Sequence, residues 1–241
     1  MKLWVIPALA ALAAAPAQAA LTATYSAPGR PPAMKVEVAD DGKFRVEMAG
    51  GLLAFIHRDG HTYLVTGGGG EAKPMVADLA DLRASIRESD QGQASKMCET
   101  FASTAGKTKL VRHGTAIVAG RTGDAWFKAE ADGTLPPRPE LVISRDPALA
   151  PLATAFLEEY RASTSMMPDC PVLADMKAEM AAALATGAPL AFGSTELAGI
   201  DTRPIDAKRF DLPTAPATAA ELRAMTSGKG SGPIVVLPPR N

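Results

Sequence analysis

The chain has 241 residues, 47% of them hydrophobic, 21% charged and only 5% aromatic, with 25 Lys+Arg against 26 Asp+Glu. That balance excludes the basic footprint of a nucleic-acid binder, and the apolar content excludes a disordered chain. The length suits one domain with a real core, much of its apolar content being alanine.

The N-terminus predicts a compartment. Lys2 gives a positive charge, Leu3 to Ala15 is an apolar stretch, and Ala17-Gln18-Ala19 is an A-x-A cleavage site. This is the layout of a secretory signal peptide over residues 1–19. The apolar stretch is too short to cross about 30 Å of hydrocarbon, and Pro7 and Pro16 interrupt it. The expected location is the periplasm or the exterior, with no membrane span in the mature chain. No Cys follows the cleavage site, so lipid attachment is not expected. Two cysteines remain, Cys98 and Cys170. In an oxidising compartment an even count predicts a disulfide between them.

The first third reads as an antiparallel meander. Strands are expected at Leu21–Ser26, Met34–Ala39, Lys43–Met48, Leu52–His57 and His61–Thr66, with turns at Asp41-Gly42 and Asp59-Gly60. Phe44, Val46 and Met48 alternate with Lys43, Arg45 and Glu47, which predicts one buried and one wet face. Gly67–Gly70 reads as a hinge. Met75, Leu79, Leu82 and Ile86 recur at helical spacing. Asp90 to Ala105 is polar and reads as irregular. Strands resume at Lys107–Arg112, Thr115–Ala119, Asp124–Glu130 and Glu140–Arg145. Asp146-Pro147 starts a helix with the stripe Leu149, Leu152, Phe156 and Tyr160. Leu173, Met176, Met180 and Leu184 mark another, stopped by Gly187. Phe192 to Pro213 holds closing strands. Residues 214–241 read as a short helix and a flexible tail. The order of elements predicts an α+β fold, with helices on one face of an antiparallel sheet.

Candidate chemistry is sparse. If Asp59-Gly60 is a two-residue turn, His57 and His61 point to opposite faces and cannot share a metal; a three-residue turn would bring them together. Gly67-Gly68-Gly69-Gly70-Glu71-Ala72 matches G-x-G-x-x-A in letters, but a meander strand precedes it instead of a βαβ unit. Met166, Met167, Cys170, Met176 and Met180 could offer soft ligands to Cu(I), yet Met176 and Met180 fit a helix stripe and Cys170 fits a disulfide. Phe192-Gly193-Ser194-Thr195 lacks the second glycine of a nucleophile elbow. No cofactor, metal or catalytic residue is expected, and no nucleic-acid partner.

The signal peptide, the Asp41-Gly42 and Asp59-Gly60 hairpins, the run from Gly114 to Trp126, and Asp146-Pro147 together resemble the LolA-like superfamily of periplasmic lipoprotein carriers and related secreted domains. The resemblance covers residues 20–213. It implies a curved antiparallel half-barrel closed by helices over an apolar cavity, and no catalytic residues. The long helix pair between Asp146 and Gly187 departs from that pattern. The function expected is non-enzymatic binding of a lipid, an acyl chain or a hydrophobic segment, with a lipoprotein as a possible partner. Phe44, Val46, Met48, Phe156, Met176 and Met180 are the candidate ligand-binding residues. A structural or envelope-stress protein with a filled core is the alternative, and a hydrolase with a noncontiguous site a further one.

Overall fold

A computed structural model describes residues 20–67, 73–89, 93–104 and 108–227. The expected signal peptide, most of the glycine hinge and the expected C-terminal tail lie outside the described residues. Two meanders make one open antiparallel sheet. The first contributes β1 (Leu21–Ser26), β2 (Pro32–Val38), β3 (Phe44–Met48), β4 (Leu53–Arg58), β5 (His61–Thr66) and β6 (Met75–Asp78). The second contributes β7 (Lys109–Val118), β8 (Arg121–Ala129), β9 (Leu141–Ser144), β10 (Ala188–Phe192) and β11 (Thr195–Asp201). The first strand of one meander pairs with the last strand of the other, giving the order β6-β5-β4-β3-β2-β1-β11-β10-β9-β8-β7.

Three local expectations need correction. Met75 does not begin a helix: Met75–Asp78 pairs with β5, and α1 (Leu79–Ser89) starts only after Asp78, whose carboxylate accepts from the Ala80 amide at 2.8 Å. Asp78 is a helix-starting residue within the periodic run, and the open edge of β5 takes the residues before it. The stretch expected to be irregular carries α2 (Gln93–Thr104). The two strands expected on either side of Gly114 are one, β7, with a register shift between Arg112 and Thr115 and Gly114 at φ +70°. A bulge absorbs a glycine that reads as a turn.

Residue alternation decides how the sheet is buried. Val36, Val46 and Phe55 are cross-strand neighbours, as are Val38 and Phe44. All enter the main apolar cluster, which also takes Leu21, Ala23 and Tyr25. Onto it pack Leu79 and Leu82 of α1 and Leu152, Ala155 and Phe156 of α3 (Ala150–Thr164). Tyr25 meets the Phe156 ring edge-on at 5.3 Å and donates its hydroxyl proton to the Pro189 carbonyl at 2.7 Å. Burial pushes that hydroxyl's pKa far up. α4 (Pro171–Leu184) contributes elsewhere: its Ala183 and Met180 join Leu141, Ile143 and Trp126 in a separate cluster. Leu141 and Ile143 alternate with Val142 of the main cluster, so β9 is buried on both faces.

The second face of β2–β6 is not wet. Lys43, Arg45 and Glu47 are only partly exposed, and Ala54, Ile56, Val65 and Val76 form an apolar cluster there. After β11 the chain crosses this face in a strap containing a 3-10 turn, Ala207–Phe210. Arg209 donates to Glu37 from Nε at 3.0 Å and from a terminal nitrogen at 2.7 Å, and reaches Glu47 at 2.9 Å. Glu37 is 4% exposed and is also held by Lys35 at 2.6 Å. Burial alone would raise the Glu47 carboxyl, but Arg45 and Arg209 outweigh it and hold it below its ordinary range. Arg58 bonds the Phe210 carbonyl at 3.3 Å and Asp211 at 3.0 Å, and Leu212 packs on the apolar cluster. The Ala217 amide then bonds the Val76 carbonyl at 2.8 Å, so the strap reaches the β6 strand. Beyond it, α5 (Ala219–Thr226) buries Leu222 in the main cluster against α1. Residues 214–227 are thus joined to the sheet and helices. Removing Arg209 leaves the buried Glu37 carboxylate with Lys35 alone. R209A is expected to lower stability by about 2 kcal/mol, short of the 3–5 typical of an orphaned buried charge, as read from urea unfolding.

Cys98 of α2 and Cys170, at the N-cap position of α4, form the expected disulfide, with Cα atoms 5.7 Å apart and a sequence separation of 72. A loop of that length corresponds to about 4 kcal/mol in the chain-entropy model. The C98S/C170S double variant is expected to lose stability of that order, and reductant should lower the wild-type melting midpoint while leaving the double variant unchanged.

Candidate functional site

Of the six apolar candidates, Phe44, Val46 and Phe156 are 5% exposed or less inside the main cluster, and Met48 packs against it. Met180 belongs to the β9 cluster, and Met176 is part-exposed on α4. The fold does not bring the six to one place.

The histidines are resolved by the hairpin. Asp59 and Gly60 have φ of +53° and +78°, His57 pairs with Thr62, and Arg58 pairs with His61. This is the two-residue turn, so the rings face apart. His57 stacks on Phe44 at 4.9 Å and bonds the Thr62 hydroxyl at 3.0 Å. His61 bonds Asp78 at 2.7 Å. Among the described residues no cluster of three or more potential metal ligands occurs.

The helices make concave surface where the sheet does not. One hollow of about 350 Å³ lies between α1, α3 and α4, lined by Arg83, Tyr160, Arg161, Asp169 and Lys177 among others. A second, of about 410 Å³, lies between α1 and the β4–β5 hairpin and includes His61, Asp78, Leu79, Arg87 and Ala162. Arg83 and Ser165 line both, so the two form one groove. Its wall includes Leu79, a member of the main apolar cluster, and Ala162, which packs on it. Its rim is cationic. Asp169 pairs with Arg83 at 3.6 Å and with Arg87, and Glu158 with Arg161 at 2.8 Å.

His61 and Asp78 form an acid–imidazole pair at the mouth of this groove. The hydroxyls beside it are committed: Thr62 to His57, and Ser165 to the Ala162 carbonyl at 2.6 Å. Neither of these two hydroxyls is therefore aligned on the pair as a nucleophile. Ser194 lies in the β10–β11 hairpin, next to Gly193 at φ +57°, so the Gly-Ser fragment is turn chemistry.

Two groups beside the groove were not legible as a site in the sequence. Tyr160 closes the apolar stripe of α3 by spacing, yet lines the hollow; burial, then the charge of Glu159, raise its hydroxyl to about 12. Glu159 itself is part-buried, and desolvation raises its carboxyl to about 7, against the smaller lowering effect of a hydrogen bond from Ser163. Comparison with protein-family models, curated proteins and solved structures gives no match.

The Glu159 shift has a sign. An acid whose folded pKa is raised destabilises the fold once the unfolded chain ionises. Stability is therefore full below about pH 4.5 for this group and falls as pH rises to about 7. E159Q is expected to be the more stable protein at about pH 8, by on the order of 2 kcal/mol, and to lose that advantage near pH 4.5. Urea midpoints of the two proteins across that range check it.

Proposed function

We propose that the protein is a secreted, periplasmic, non-enzymatic binding protein for an amphiphile with an acyl chain, akin to the LolA-like carriers. The observation that carries this reading is the groove between α1, α3 and α4, where cationic side chains stand directly beside a wall drawn from the main apolar cluster. In this reading the sheet is curved, its concave face lies under α1 and α3, and an acyl chain enters along the seam between them. Burial of methylenes drives that entry at about 0.8 kcal/mol each. The seam is closed at its surface by ion pairs of Asp169 with Arg83 and Arg87, whose side chains are 35–65% exposed. Exposed pairs contribute about 0–1 kcal/mol each, so they open at little cost. Phe44, Val46, Met48 and Phe156 then form the apolar surface the chain reaches.

Displacement of a fluorescent fatty acid from the purified mature protein tests the reading. Saturable binding is expected. A84W, which places a bulky ring in the groove from an exposed position of α1, is expected to weaken binding by at least about ten-fold, or about 1.4 kcal/mol. If no acyl compound binds, the tight burial of Phe44, Val46 and Phe156 favours the structural protein with a filled core.

A further inference from the structure

Positive charge in the groove is not evenly matched. Glu158 takes Arg161, and the single carboxylate of Asp169 is divided between Arg83 and Arg87. Arg83 nevertheless keeps its Nε buried with no hydrogen-bond partner among the described residues. Lys177 lines the same hollow from α4 and has neither an ion pair nor a hydrogen bond among the described residues. A buried N–H left unpaired costs about 1–3 kcal/mol, and more beside a charged group. The enclosed Nε does not itself face the hollow, but the Arg83 side chain as a whole is 35% exposed and lines it beside Lys177, and a ligand that supplies negative charge and several acceptors matches those two cations.

We propose that the hollow between α1, α3 and α4 is an oxyanion site for a phosphate group, held by the Lys177 ammonium and the Arg83 guanidinium. A phosphate monoester brings three acceptor oxygens and close to two negative charges at neutral pH. That matches two cations better than a carboxylate does. Tyr160 lines the same hollow. Burial, then the nearby Arg83 charge, lower the Lys177 ammonium's proton affinity despite Asp169. A bound dianion reverses that penalty, so binding and protonation of Lys177 reinforce each other. The site does not depend on an acyl chain reaching the core, because its ligating atoms lie on the helices.

Titration calorimetry of the mature protein with inorganic phosphate, in a buffer free of other oxyanions, tests this. Saturable binding is expected. K177Q should weaken it by at least about ten-fold, the value of one charge-assisted contact, with little change in melting midpoint because Lys177 makes no hydrogen bond among the described residues and is drawn only to Asp169, which Arg83 and Arg87 already hold. K43Q, at the β2–β3 turn, should bind as the wild type does. An alkyl phosphate and an alcohol of equal chain length separate the sources of the ligand. Alkyl phosphate binding tighter than inorganic phosphate identifies a lipid headgroup, and equal affinity identifies the free anion; both support the site. Phosphate binding without any acyl binding keeps this site and removes the acyl reading. Absence of saturable phosphate binding, or a K177Q affinity equal to wild type, overturns the proposal even if fatty acids bind.

Discussion

Glu37 is the constraint from which the rest of the architecture follows. Its carboxylate is almost fully enclosed in the middle of the sheet, where an unpaired charge is not tolerated. Lys35 supplies one partner from the same strand, and Arg209 supplies the other from 172 residues away. Fixing Arg209 fixes the strap. The strap then lays Phe210 and Leu212 against the second sheet face, meets β6 at Val76, and delivers α5 onto α1. There Ser85 bonds Thr226 at 2.8 Å and Arg223 pairs with Glu88 at 2.7 Å. α1 forms one wall of the groove. A charge buried on one face of the sheet thereby helps to position α1, whose apolar residues pack on the other.

A second closure works from the opposite side. The disulfide ties α2 to the start of α4, one residue after Asp169, whose carboxylate faces Arg83 and Arg87 of α1. One covalent link and two exposed ion pairs therefore converge on a short connection between α3 and α4. The covalent link limits how far α4 moves; the ion pairs are weak and solvated. α4 also protects the long edge of the sheet, where Glu179 accepts the Leu110 amide of β7 at 3.0 Å. Covering an edge donor in this way removes a pairing point for another chain.

What the sequence made legible was local. Asp59-Gly60 announces a turn because both residues adopt positive φ, and that geometry alone separates His57 from His61. The alternation of Phe44, Val46 and Met48 marks a strand face because the period of two is set within five residues. The cysteine pairing was forced by count once an oxidising compartment was assumed. The misses share a cause: each depended on a partner distant in sequence. Met75 and Leu79 satisfy helical spacing, but Met75 lies on a strand because β5 has an edge to fill. Arg45 and Glu47 belong to the polar half of an alternating strand, yet they are covered because Arg209 returns to them. The groove takes residues from three helices and a hairpin, and no periodicity within one segment reports such a convergence.

This also explains why apolar residues were poor guides to a site. Phe44, Val46 and Phe156 have the composition of a cavity lining and equally that of a core, since both are surfaces removed from water. Burial cannot separate the two roles, because a residue facing a closed seam and one facing its neighbours are equally enclosed. Polar groups separate them better. The Tyr25 hydroxyl finds Pro189 and Glu37 finds Arg209, while Trp126 Nε1 in the β9 cluster is an unpaired exception in the core. Among the described residues, the Arg83 Nε and the Lys177 ammonium make no hydrogen bond. Packing contributed little to predicting that contrast, and charge balance over the whole chain concealed it. An almost neutral protein concentrates unmatched cations in one hollow because Glu158 and Asp169 are already engaged there. The unpaired groups, and not the largest apolar ones, are therefore where binding chemistry is to be sought in this fold.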